Sequence, residues 1–113
     1  MTDVIEGNEL VEVAMQIILH AGDARIKLEE ALKYLKEMDF TKAKEVLIEA
    51  EECIRLAHLS QTKVIQDETR GRSYDSSLLF NHAQDTLMTV MSEGKITKQM
   101  IEVFEVFYQA CKK

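Results

Sequence analysis

The chain has 113 residues, a formal net charge of −6, no proline and four glycines. This length predicts one domain, residues 1–113, with a modest core. The scarcity of turn formers excludes sandwiches and barrels and leaves room for long helices. Hydrophobic residues make up 46% and charged residues 30%, the balance of a soluble globular domain. The acidic charge excludes nucleic acid and anionic membrane as partners, because both require a basic surface.

The first ten residues, MTDVIEGNEL, contain no basic region followed by an apolar core, which predicts no secretory signal. The most apolar stretch, Val13 to Leu19, is ended by His20 and is far too short to span a bilayer. A cytoplasmic location is expected. Cys53 and Cys111 suit a compartment that keeps thiols reduced, and they form neither a CxxC pair nor a zinc-ligand spacing.

The first helix is expected from about Glu9 to Met38. Its seam reads Leu10, Ala14, Ile17, Ala21, Ala24, Leu28, Ala31, Leu35, Met38, alternating steps of four and three as in a heptad pattern. Val11, Ile18 and Leu32 widen it to a bundle-forming face. Gly22 lies inside this pattern, at a cost of about 1 kcal/mol relative to alanine, and marks a close helix approach or a slight bend. Asp39-Phe40-Thr41 breaks the run, with Thr41 expected to cap a second helix to about Glu68. That helix has the seam Phe40, Ala43, Leu47, Ala50, Ile54, Ala57, Gln61, Val64. The short connection predicts antiparallel packing, and the alanines on both seams predict a close approach.

Thr69 to Tyr74 is a basic, glycine-containing loop in an otherwise acidic chain. Asp75 or Ser76 is expected to cap the third helix. Two courses are open beyond it. Either Gly94 ends that helix and Thr97 caps a last one through Tyr108, or the helix continues through Gly94.

The third helix carries two stripes. Phe80, Ala83, Leu87, Val90 and Met91 form an ordinary core face. Beside it, Leu78, His82, Asp85, Thr89 and Ser92 form a polar row at heptad spacing, with Thr86 adjacent. His82 and Asp85 are three apart and share a side of the helix. The pattern alone leaves two readings open. One is a surface pair or a satisfied buried histidine. The other is a chemical site: histidine titrates near ~6.5, so its neutral ring nitrogen is available at neutral pH to accept a phosphoryl group. Phosphoryl transfer asks mainly for positioning and electrostatic stabilisation, so one rigidly held histidine suffices. Metal binding by His82 is disfavoured, because the position four residues on is Thr86 rather than a second histidine.

The segment His82-Ala83-Gln84-Asp85-Thr86-Leu87-Met88-Thr89 resembles the active-site segment of the lactose/cellobiose class of enzyme IIA of the bacterial sugar phosphotransferase system. Ala21-Gly22-Asp23-Ala24-Arg25 and Ala57-His58-Leu59-Ser60-Gln61-Thr62 are similar to further stretches of that family, and the resemblance runs from about Asn8 to Tyr108. It implies an all-α antiparallel three-helix bundle that assembles as a homotrimer. It implies that His82 takes a phosphoryl group from the phosphocarrier HPr and passes it to a cysteine of the cognate enzyme IIB. The sugar is phosphorylated as it crosses IIC, so membrane contact comes only through the IIB/IIC complex and the IIA sequence does not name the sugar. It further implies that Asp85 lies near the trimer axis and binds a divalent metal, magnesium, shared by three subunits. Three converging carboxylates would repel strongly, and a hard cation with octahedral oxygen coordination relieves that repulsion.

The family often has a second histidine where this chain has Thr86. The Thr86 hydroxyl is left either to bond a phosphoryl oxygen or to bond back to the His82 carbonyl. Gln84 is placed either to orient phosphate or partner or to be solvated. His58 and Gln61, on one side of helix two, are candidates to reach the phosphoryl site or to make structural hydrogen bonds. Asp23 and Arg25 are expected to pair across the bundle, and His20 to be structural. A second class of function is a non-catalytic helical adaptor, since Phe40 to Ala50 superficially resembles tetratricopeptide-like or microtubule-interacting modules. The chain has no internal repeat to support it.

Overall fold

The computed structural model describes residues 4–5, 7–71, 73–74 and 77–112. Three long helices dominate: α1 (Gly7–Lys36), α2 (Phe40–Thr69) and α3 (Leu78–Cys111). A two-residue parallel pairing joins β1 (Val4–Ile5) to β2 (Ser73–Tyr74), with Val4 opposite Ser73 and Ile5 opposite Tyr74. The architecture is the expected all-α bundle, drawn out to 70 × 21 × 18 Å.

The alanine seams do what their spacing requires. Ala14, Ala21, Ala24 and Ala31 of α1 and Ala43, Ala50 and Ala57 of α2 are wholly buried. Their small side chains let the two backbones approach closely. Helix α3 lies along this pair. The Phe40 and Tyr108 rings meet at a tilt with centroids 5.5 Å apart, Lys44 bonds Glu105 at 2.6 Å, and Gln61 meets Gln84 at 3.1 Å. These contacts run in opposite directions along α2 and α3, so the course is up, down, up. Two core clusters result. One is centred on Ile17, Ala57, Val64, Phe80 and Leu87, the other on Leu28, Leu35, Leu47, Val90 and Ile101. Ile54 packs against both.

Several expected boundaries move. Helix α1 ends at Lys36, and Met38 stands outside it in the left-handed region at φ 60°. Such a conformation costs a non-glycine residue about 1–2 kcal/mol, and Met38 is accordingly exposed rather than the last residue of the seam. The cap of α2 is Asp39, whose Oδ1 accepts from the Lys42 amide at 3.1 Å. Thr41, the expected cap, lies in the first turn, because Phe40 is already drawn into the core beside Tyr108. The cap of α3 is Ser77, whose Oγ accepts from the Phe80 amide at 3.1 Å. Asp75 and Ser76 lie outside the described residues. Gly22 is exposed, and a Cβ there would meet nothing within 4 Å, so it makes no close approach within this chain.

Helix α3 continues through Gly94 over its full 34 residues. Thr97 caps nothing. It is buried and its hydroxyl donates back to the Glu93 carbonyl at 2.8 Å. Gly94 is the close approach of the fold: a Cβ there would stand 3.1 Å from Ile54 Cδ1. Among the described residues, no buried side-chain nitrogen or oxygen lacks a hydrogen-bond partner.

Leu87 is fully buried in the cluster beneath the N-terminal half of α3. Leu87→Ala is expected to cost about 2–5 kcal/mol, read as a lower urea midpoint. A cost below about 1 kcal/mol would show that this contact does not hold α3 in place.

Candidate functional site

The row seen in the sequence is an exposed face. Leu78, His82, Asp85, Thr89 and Ser92 all face outward from α3, while Phe80, Ala83, Leu87 and Val90 are buried behind them. His82 sits one turn inside the Ser77 cap, on a segment pinned by Phe80 and Leu87, so its ring is carried on rigid backbone. Asp85 is one turn further on. Two threonines are tied to this stretch: Thr86 Oγ1 donates to the His82 carbonyl at 2.8 Å, and Thr89 Oγ1 to the Asp85 carbonyl at 2.8 Å. Of the two roles open to Thr86, the structure thus has the backbone bond.

The other residues singled out in the sequence divide into two groups. Gln84, two residues from His82, is turned roughly 200° around the helix and faces α2. There its Oε1 accepts from Nε2 of the buried Gln61 at 3.1 Å. This pair links α2 to α3 behind the His82 face rather than on it. His58 is elsewhere. Its Nδ1 lies 3.3 Å from Thr62 Oγ1, and its ring borders a groove whose α3 wall runs from Met91 to Lys98. Met91 is nine residues past His82, about 13 Å along the axis. Within one chain, then, His82, Asp85, Thr86 and Thr89 come together, whereas Gln61, Gln84 and His58 do not join them.

Arg25 does pair across the bundle, but with Glu93 of α3: Nε and Nη2 both reach Oε1, at 2.9 and 2.8 Å. With both side chains about two-fifths exposed, solvent screening keeps this bridge to a modest contribution.

The row does not stop at Ser92. In the structure the same four-three alternation runs on through Ile96, Gln99, Val103, Val106 and Ala110, all exposed. Ile96 is 56%, Val103 63% and Val106 71% accessible, with Phe107 beside them at 64%. The signal was present in the heptad spacing, but it becomes readable only once α3 is known to be continuous through Gly94. An exposed row, polar in its first half and apolar in its second, has the character of an unfilled helix–helix seam.

This bundle, with its exposed histidine and aspartate on the third helix, belongs to a defined class. Residues 12–105 match the family described as the lactose/cellobiose-specific IIA subunit of the PTS system. The lactose-specific EIIA component of Staphylococcus epidermidis is 38% identical over 98 residues, covering 87% of this chain and 94% of that protein. The crystal structure of PtcA from S. mutans superposes with a TM-score of 0.88 at 32% identity, covering 89% of this chain and 99% of that one. The IIA(chitobiose)–HPr complex of Escherichia coli matches with a TM-score of 0.74 at 37% identity, covering 88% and 96% of the two chains. The chain is a member of the lactose/cellobiose-specific IIA family of the sugar phosphotransferase system, which decides against the helical-adaptor class. Among the described residues, no helix is long and apolar enough to cross a membrane.

The two thiols differ in environment. Cys53 is half-buried on α2, and burial pushes its thiol up from the ordinary value, with the Asp23 carboxylate adding to the effect. Cys111 is exposed at the end of α3. Iodoacetamide at pH 8 is expected to alkylate Cys111 at least about tenfold faster than Cys53, because the thiolate is the nucleophile. Peptide mass mapping over time checks this, and equal rates would contradict the burial of Cys53.

Proposed function

We propose that this chain is the phosphohistidine carrier of a sugar-uptake phosphotransferase system, working in the cytoplasm. His82 accepts a phosphoryl group from phospho-HPr and donates it to a cysteine of the cognate enzyme IIB. The observation that carries this reading is the exposed His82–Asp85 row on α3 in a chain of the IIA family. The fold relative solved as a complex with HPr supports HPr as the donor. In the acceptor step, a lone pair of the neutral imidazole attacks phosphorus, a P–N bond forms at His82, and the donor's bond to phosphorus breaks. In the second step that P–N bond breaks as the IIB thiolate takes the phosphoryl group. The rigid backbone beneath His82 holds the ring for in-line approach, which is most of what this transfer requires.

Three copies of the chain assemble through the α3 row. The apolar half, Ile96 to Val106, buries against its equivalents, and the polar half brings His82 and Asp85 to the interfaces. In the assembled protein Gln84, Gln61 and His58 act as supporting residues only if a neighbouring copy brings them to His82. Within one chain, among the described residues, no three His, Cys, Asp or Glu side chains could hold a metal ion. A donor set therefore needs several copies, and three exposed Asp85 carboxylates fit a hard divalent cation such as magnesium. The ion would supply the positive charge that lets those carboxylates stay ionised together.

Incubation with labelled phosphoenolpyruvate, enzyme I and HPr is expected to place acid-labile label on the wild type and only background on His82→Ala. Labelling of that variant by charged HPr would remove His82 from the role. In sedimentation, the wild-type trimer is expected to weaken when magnesium is chelated. Asp85→Asn, which abolishes the like-charge cluster, is expected to assemble equally well with and without magnesium. Persistent magnesium dependence in Asp85→Asn would rule out the shared carboxylate site.

A further inference from the structure

Helices α2 and α3 enclose a groove of about 510 Å³ on the flank of the bundle, a size in the range of small-molecule sites, ~300–1,000 Å³. Its floor is apolar, made by Ile54, Met91 and the bare backbone at Gly94. Its rim is cationic. Lys95 and Lys98 project from α3 and Arg55 from α2; His58 also lines it, and Glu51 is the acidic residue among the lining groups. Arg55 is already engaged, its Nε and Nη2 bonding the two Glu52 oxygens at 2.9 and 2.7 Å. That bond holds the Glu52 carboxyl below its usual value. Lys95 and Lys98 enter none of the ion pairs found among the described residues. In a chain of net charge −6, two uncommitted ammonium groups over an apolar floor form a local inversion of sign.

We propose that this groove binds a small amphiphilic anion, an apolar planar or acyl body carrying one carboxylate, sulfonate or phosphate. The body rests on Ile54 and Met91, and the anionic group lies between Lys95 and Lys98. Charge complementarity argues for this occupant, because a neutral apolar ligand would leave both ammonium groups unused and a cation would be repelled. The site does not depend on the phosphocarrier reading. At about 100° per residue, Met91, Gly94, Lys95 and Lys98 centre roughly 140° around α3 from Asp85 and Ile96. The α3 wall of the groove is thus centred away from the exposed row.

The glycine makes the floor. Any side chain at position 94 would meet Ile54 Cδ1 at 3.1 Å and would fill the space between the helices. The lysines are exposed, so changing them leaves the core intact.

The test is a titration of the full chain with 1-anilinonaphthalene-8-sulfonate, followed by methyl NMR and fluorescence. The Ile54 and Met91 methyl signals are expected to shift, with saturation. The variant Lys95→Gln/Lys98→Gln is expected to bind at least tenfold more weakly while keeping its helical circular dichroism. N-phenyl-1-naphthylamine, the same body without the sulfonate, is expected to bind the wild type at least fivefold more weakly. Shifts confined to Ile96 and the α3 row would overturn the proposal, as would equal affinity for the neutral analogue or an undiminished affinity in the double variant.

Discussion

The contact between Ile54 and Gly94 is the point on which the rest of this molecule depends. A Cβ on Gly94 would stand 3.1 Å from Ile54 Cδ1, so the bare glycine lets α3 pack closely on α2 there while remaining helical. Ile54 in turn packs against both core clusters and so couples the two ends of the bundle. Glycine inside a helix is unfavourable by about 1 kcal/mol. Helix α3 nonetheless runs through Gly94 unbroken.

The continuity of α3 has consequences for chemistry. Because the helix is not broken, the row that begins at Leu78, His82 and Asp85 keeps its register through Ile96, Val103 and Val106. A break at Gly94 would have rotated the apolar half away from the polar half. With the register kept, a single face carries both the exposed apolar surface and the exposed histidine. The exposed apolar surface and the placement of His82 are thus properties of one helix face, and the core side of the same helix anchors it. The opposite flank of α3, with Lys95 and Lys98, has the reverse charge character and is geometrically independent of that face.

Polar satisfaction follows the same economy. The threonines nearest His82 donate to backbone carbonyls one turn back, which holds them close to the helix and leaves the imidazole projecting beyond them. The glutamines, in contrast, close a link between α2 and α3 behind the face. Gln61 and Gln84 therefore serve the bundle rather than the His82 face.

The amino-acid sequence by itself determined the all-α class, the seams of α1 and α2, and the His82–Asp85 row. Each depends on local periodicity, and every seam residue from Leu10 to Leu35 is indeed buried. The resemblance carried by His82 to Thr89 likewise needed only residues close together in the chain. Tertiary structure alone decided that Gly94 lies within a helix, since that depends on Ile54, forty residues away, filling the gap. It alone paired Arg25 with Glu93 rather than with a neighbour in sequence, turned Gln84 to Gln61, and set His58 on a different surface from His82. These outcomes depend on which faces of separate helices meet. Periodicity shows which side of a helix is apolar, but not the axial register at which one helix rests on another.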